Sequence, residues 1–215
     1  MKQQHVAIAG GADLLVRSLL DRRQYHDPHG EAAAAGISPE CWPLFGQICP
    51  SALKLADLMQ NWELGSQRVL ELGCGLGLAS MVIHRRMGDI TASDCHPLTQ
   101  SFLYTNLLLN HLPDLKYRTG IWGRENHALG EFDLIIGSDL LYEQDHAALL
   151  AGFLAAHANP TCQVLLVDPG RSQCSQFSSL MAAQGYARTE WRLRLPERNT
   201  PFFPGRLFSF VRAHA

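Results

Sequence analysis

No stretch of the sequence approaches the roughly 18 consecutive apolar residues that a membrane-spanning helix needs, so no membrane partner is expected. Net charge is nearly absent too: 18 Lys and Arg stand against 20 Asp and Glu, which leaves −2. So small a balance exerts no global pull on nucleic acid or anionic lipid, and no nucleic-acid partner is expected. The cysteines at 41, 49, 74, 95, 162 and 174 form no C-x-x-C pair, and no histidine joins them at metal-ligand spacing. They read as reduced thiols of a cytoplasmic protein, and no metal site is expected. No long apolar stretch follows Met1-Lys2-Gln3-Gln4-His5, so no secretory leader is expected. Internal repeats are lacking, and Ala32–Ala35 is the one low-complexity patch.

What is present is a globular composition. The 215 residues are 47% hydrophobic and 18% charged, enough for a large core without disulfide or metal staples. From Arg68 onward, strand and helix patterns alternate. Arg68–Leu72, Asp89–Ser93, Lys116–Thr119, Phe132–Gly137 and Cys162–Val167 read as strands. Leu76–Met87, Pro97–Asn110, Asp145–His157 and Ser172–Gln184 read as helices. Such alternation predicts βαβ units on a parallel sheet. Trp191–Leu195 and Leu207–Val211 have no helix between them and predict an antiparallel pair at the sheet edge. The fold expected is therefore α/β: a Rossmann-like, doubly wound, mostly parallel sheet of seven strands with a C-terminal antiparallel hairpin.

Upstream, Pro50-Ser51 opens a helix. Leu14, Leu15, Leu19 and Leu20 read as a short helix within residues 12–23. Pro28, Gly30, Gly36 and Pro39 mark an irregular arm over residues 24–40. The expected division is a helical and irregular N-terminal extension over 1–40 before a main domain over 41–215.

The strongest motif is Val69-Leu70-Glu71-Leu72-Gly73-Cys74-Gly75-Leu76-Gly77, a glycine cluster between a strand and a helix. Without Cβ atoms, such a turn lets backbone approach a ligand closely. Dinucleotide-binding folds share this kind of turn, but two details point elsewhere. Glu71 ends the strand, where a carboxylate would repel a pyrophosphate and suit a cationic or aminocarboxylate ligand. Asp94 ends the next strand, where an acid can accept two ribose hydroxyls. Together they favour S-adenosylmethionine over NAD.

With these residues in place, the chain resembles the class I, seven-strand S-adenosylmethionine-dependent methyltransferases over residues 38–213. More narrowly it resembles methyltransferase family 16, which contains many protein-lysine methyltransferases. Gly46–Ala52, Val69–Ser80, Ala92-Ser93-Asp94 and Phe132–Tyr142 carry the likeness, with D-x-x-Y at Asp139–Tyr142 the most group-specific part. The resemblance implies that Glu71, Gly73, Cys74, Gly75 and Gly77 hold the methionine end of the cofactor. It implies that Asp94 binds the ribose, that Trp122 packs near the adenine and that Ser138 lies at the cofactor. Asp139 and Tyr142 are then the catalytic pair facing the methyl group and the incoming amine. Two positions depart from the family pattern. Cys49 stands where a Trp is usual, with Trp42-Pro43 seven residues earlier, and Ile121 stands where an acid often precedes Trp122.

Methyl transfer needs donor and acceptor aligned and the amine unprotonated. Asp139 reads as an anchor for the ammonium rather than a strict base, with the proton leaving to water or through Tyr142. Leu140-Leu141 replaces the two prolines that methylases of planar base amines carry there, which argues against a nucleic-acid base. The function expected is N-methylation of a protein lysine. The alternatives are a small amine or N-heterocycle as acceptor, or a non-catalytic domain that binds S-adenosylmethionine or S-adenosylhomocysteine. Oligomeric state is left open. His96 falls near the expected cofactor. Arg171, in Asp168-Pro169-Gly170-Arg171 on the ligand-binding rim, reads as a solvated turn residue, with contact to substrate as the alternative. Arg188, Arg192, Arg194, Arg198 and Arg206 read as the solvated face of the hairpin, with docking to an acidic surface as the alternative. Residues 23–45, with Tyr25, Trp42 and Phe45, are expected to cover the cofactor.

Overall fold

The computed structural model describes residues 1–124, 126–193 and 205–212. Seven strands form the central sheet: β3 Arg68–Leu72, β4 Asp89–Asp94, β5 Lys116–Thr119, β6 Phe132–Ser138, β7 Ala158–Asp168, β8 Tyr186–Arg192 and β9 Arg206–Arg212. Their spatial order is β5-β4-β3-β6-β7-β9-β8. The first five run parallel, and β9 pairs antiparallel with both β7 and β8. From β3 the chain builds outward through β4 to β5, then returns to lay β6 on the other side of β3. That reversal opens a crevice at the carboxyl ends of β3 and β6, where open α/β sheets bind ligands.

The strands alternate as a doubly wound sheet requires. Val69, Leu134, Ile136, Leu165 and Val167 face a core shared with Leu55 and Met59 of α2 (Pro50–Asn61), Met81 of α3 (Leu78–Arg85) and Leu103 of α4 (Thr99–Leu109). Leu70, Leu72, Ile135, Val164 and Leu166 face the opposite core. There they meet Leu150 and Leu154 of α5 (His146–His157) and Phe177 and Met181 of α6 (Cys174–Ala183).

Two sequence expectations are corrected. Residues 12–23 do not form a helix. Leu14–Ser18 is strand β2, antiparallel to β1 (Lys2–Val6). Leu14, Val16 and Ser18 are buried on one side, and Val6, Leu14 and Val16 join the α2–α4 core. The outer edge of β2 is closed by side chains. Asn110 Oδ1 accepts from Leu15 N, and its Nδ2 donates to Leu15 O, each at 2.8 Å. One helical turn earlier on α4, Asn106 Oδ1 accepts from Arg17 N at 2.8 Å and its Nδ2 donates to Arg17 O at 3.3 Å. Two amides four residues apart thus replace a neighbouring strand. Secondly, the penultimate strand starts at Tyr186, five residues before the expected Trp191, following Gly185 at φ +85°; residues 194 and 195 of the expected strand lie outside the described residues. Within the arm, a single helical turn, α1 (Glu31–Ala34), starts where Asp27 accepts from the amides of Ala32 and Ala33.

Candidate active site

A cavity of about 510 Å³ occupies the crevice at the switch point. Its size suits one drug-sized organic ligand. Of the ten site residues expected from sequence, Gly73, Cys74, Gly75, Asp94, Trp122, Ser138, Asp139 and Tyr142 line it. Glu71 and Gly77 do not.

The floor is the turn from β3 to α3. Gly73, Gly75 and Gly77 have φ of +58°, +50° and +74°. A Cβ on Gly75 would stand 2.8 Å from the Phe45 carbonyl oxygen, so no larger residue fits that turn without moving backbone. Gly77 begins α3. Glu71 shares its strand face with Val69 and turns away from the cavity. Its carboxylate accepts from Ser80 N at 2.7 Å and from the Ser80 hydroxyl, in the first turn of α3. It neutralises an amide that would otherwise lack an intrahelical partner. Burial pushes the Glu71 carboxyl up to about 7, against the two Ser80 hydrogen bonds.

One end of the cavity is bound to backbone. Asp94, 8% exposed, accepts from Gly75 N at 2.9 Å and from His96 N at 2.8 Å, so it ties the β4 exit to the glycine turn. Burial raises its carboxyl, with those amides opposing. The Phe45 and His96 rings stack at 3.8 Å, and both line the cavity. Burial lowers the His96 imidazole to about 4, so it is neutral. His96 Nδ1 accepts from Leu98 N, while its buried Nε2 has no partner among the described residues. Trp42 lies behind this pair, edge-on to Tyr25, Phe45 and His96. The ring that reaches the cavity from the 42–46 turn is therefore Phe45. Cys49 also lines the cavity, and its Sγ accepts from Ala52 N at the start of α2.

The other end is built from side chains. Asp139 follows β6 with φ +54°, a left-handed conformation that Asp tolerates better than most residues. Its amide donates to Val167 O at 2.8 Å, continuing the β6–β7 ladder by one step. Arg171 Nε donates to Asp139 Oδ1 at 2.5 Å, with the two side chains 37% and 25% exposed. The solvated turn expected for Arg171 is thus corrected: it is an ion-paired residue of the cavity wall. Tyr142, 39% exposed on the rim, packs edge-on against His146 at 4.5 Å, and His146 against Trp122 at 5.3 Å. Partial burial, with acids and thiols nearby, pushes the Tyr142 phenol well up. Arg22 and Ala35–Ser38 of the arm complete the lining.

Among the described residues, no group of three or more His, Cys, Asp or Glu could hold a metal ion. In the terminal hairpin, Glu190 pairs with Arg206 at 2.8 Å and Arg188 at 3.8 Å. Arg194 and Arg198 lie outside the described residues. No helix among the described residues is long and apolar enough to cross a membrane.

An adenosyl amino acid fits this donor set. There is a close-approach turn, a buried acid at one end, an unpartnered imidazole nitrogen beside it and a second acid at the open end. Magnesium protoporphyrin IX methyltransferase from Synechocystis, solved with S-adenosylmethionine bound, superposes with a TM-score of 0.58. It is 14% identical and is matched over 78% of this chain and 86% of its own. The fold is that of the class I S-adenosylmethionine-dependent methyltransferases. Among curated proteins, EEF1A lysine methyltransferase 3 of Mus musculus is 28% identical over 156 residues, covering 70% of this chain and 62% of that protein. The electron transfer flavoprotein beta subunit lysine methyltransferase of Xenopus laevis is 31% identical over 184 residues, covering 80% and 72%. The lysine methyltransferase family profile matches residues 45–183, and the chain belongs to that family.

Proposed function

We propose that the protein transfers the methyl group of S-adenosylmethionine to the side-chain amine of a lysine in a protein substrate in the cytoplasm. The observation that carries this reading is Asp139, an acid held in a left-handed turn at the open end of a cavity whose other end is the Asp94 and glycine-turn floor. The cofactor, when bound, supplies a methyl group on a cationic sulfonium. Each Asp94 oxygen already accepts one amide and can accept once more, which leaves capacity for two ribose hydroxyls. The glycine turn holds the methionine end, and Glu71 serves it indirectly by pinning Ser80 and the start of α3. Trp122 and Ser138 line the same cavity as the two acids.

The acceptor amine enters past Tyr142, and Asp139 accepts its hydrogen bond and aims its lone pair. The amine nitrogen forms its bond to the methyl carbon as the carbon–sulfur bond breaks, with that electron pair staying on sulfur. The amine sheds its proton beforehand to water at the open rim. A phenol pushed up by its surroundings stays protonated near neutral pH, so Tyr142 orients the amine and does not act as a base. Residues 1–40 serve as the specificity arm of a catalytic domain spanning 41–215, and Arg22, Ala35–Ser38 and Phe45 line the channel from that side.

The test is incubation with methyl-labelled S-adenosylmethionine and cell extract, with Asp139→Ala as control. Label in a discrete protein band that Asp139→Ala lacks is the expected result. Label only in small molecules would replace the lysine acceptor with a free amine. Binding without transfer would leave a regulatory domain, and no binding would end the reading.

A further inference from the structure

Asp139 does not stand free, and the proposed reaction alone gives no reason for that. Its partner Arg171 comes from a different strand exit and is aimed by the fold. Ser138 and Val167 are in register on β6 and β7, so the two exits lie side by side. Asp168, 2% exposed, accepts from the amides of Gly170 and Arg171 at 2.7 Å each and folds the β7 exit back toward β6. The guanidinium carbon then sits 5.8 Å from the centre of the Tyr142 ring. Two more acids are near: Asp168, whose Oδ1 takes both of those amides and whose charge also acts on the guanidinium, and Glu143, which accepts from the Cys41 thiol at 3.0 Å; among the described residues only Asp139 is hydrogen-bonded to the Arg171 side chain. The hydrogen bond to Asp139 in turn holds the guanidinium above its usual range.

The charge balance gives this pair a chemical meaning. A lone carboxylate beside a lysine amine favours the ammonium form and raises a pKa already near 10.4. An ammonium has no lone pair to attack a methyl group. A guanidinium is charged at any working pH and matches a carboxylate, so it cancels that bias without competing for the methyl.

We infer that Arg171 is a positioning residue that acts through Asp139: its guanidinium is the resident counter-ion of that carboxylate, so the acceptor end takes an amine in its neutral form rather than as an ammonium ion. The inference rests on the reading that Asp139 faces the transferring methyl. The guanidinium cancels the Asp139 charge at the end of the cavity that the sulfonium approaches, where Glu143 and Asp145 also line the wall, and Arg171→Gln adds one unmasked anion there.

Three probes share one adenosyl amino acid frame and differ at that point. S-adenosylhomocysteine is neutral at sulfur, S-adenosylmethionine is a sulfonium, and sinefungin carries an amine in place of the methyl-bearing centre. Calorimetry on the full chain compares wild type, Arg171→Gln and Arg171→Lys. Arg171→Gln is expected to tighten sinefungin relative to S-adenosylhomocysteine by about tenfold, with S-adenosylmethionine moving the same way. S-adenosylhomocysteine itself should stay within about twofold, and Arg171→Lys should keep the wild-type ratio. An unchanged sinefungin ratio in Arg171→Gln, or the same change in Arg171→Lys, overturns the counter-ion role and leaves the methyltransferase reading standing. Loss of S-adenosylhomocysteine binding in Arg171→Gln overturns it as well, by making the residue a structural wall. If wild type binds none of the three, the functional reading falls and this inference falls with it.

Discussion

The two acids that bracket the cavity are held in opposite ways. Asp94 is buried, and both its oxygens are fixed by main-chain amides of the β3 and β4 exits. Asp139 is partly exposed, sits on a left-handed residue and is held by a guanidinium. Main-chain donors cannot be exchanged without unfolding a turn, whereas an ion pair between half-exposed side chains is worth little and can be traded. The Asp94 end is therefore shaped for one ligand that never varies, and the Asp139 end for a visitor that must arrive, react and leave.

Exchanging the two losses is the strongest way to break this comparison. Asp139→Ala should lower the transfer rate by about a thousandfold, or roughly 4 kcal/mol, while S-adenosylhomocysteine affinity barely moves. Asp94→Asn should do the reverse, weakening S-adenosylhomocysteine by about thirtyfold with the larger part of the kinetic defect in KM for the cofactor. Single-turnover kinetics beside calorimetry separate the two; equal effects on binding would erase the distinction.

A smaller effect comes from behind the fixed end. Glu71 titrates at about 7 in the folded protein and at about 4.5 when unfolded. Between those values the native state holds a proton that the unfolded chain has released, so stability falls as pH rises through that window. The loss should be on the order of 3 kcal/mol from pH 5 to 8. Denaturant titrations of Glu71→Gln should show that part of the slope gone; an undiminished slope would assign the proton elsewhere.

The smallest effect concerns the arm. Asn106→Ala strips β2 of both an acceptor for Arg17 N and a donor to Arg17 O. It should cost about 1 to 2 kcal/mol and loosen residues 1–20 in hydrogen exchange, leaving the central sheet as protected as before. Loss of protection throughout would mean that the arm and sheet form one cooperative unit.

Much of this was legible in the residues. The glycine turn, the acid after the second strand and the D-x-x-Y segment lie at strand ends, and strand alternation with helices dictates which ends share an edge. Helix and strand periods also located α2 to α6 and most of the sheet. Glu71 was legible too: it has the same parity as Val69, on the side that α3 covers, and that parity points its carboxylate at Ser80. Other features depend on distant partners. Residues 14–18 have leucines at spacings a helix could use, and their strand pairs with β1 and is closed on its outer edge by a pair of asparagines about 90 positions away. Arg171 sits in a Pro-Gly turn that solvates an arginine in most settings. Its role appears only once β6 and β7 are known to be neighbours in register.

The asparagine clasp also sets a timetable. β1 and β2 can pair with each other early, but the outer edge of β2 gains its partners only when residues 106 and 110 have been made and wound into α4. At about 5–20 residues per second, the roughly 90 intervening residues take on the order of 5–20 s to synthesise. Through that interval Val6, Leu14 and Val16 lack the α4 part of their core, so this hairpin stays open to chaperones and to aggregation in a nascent chain.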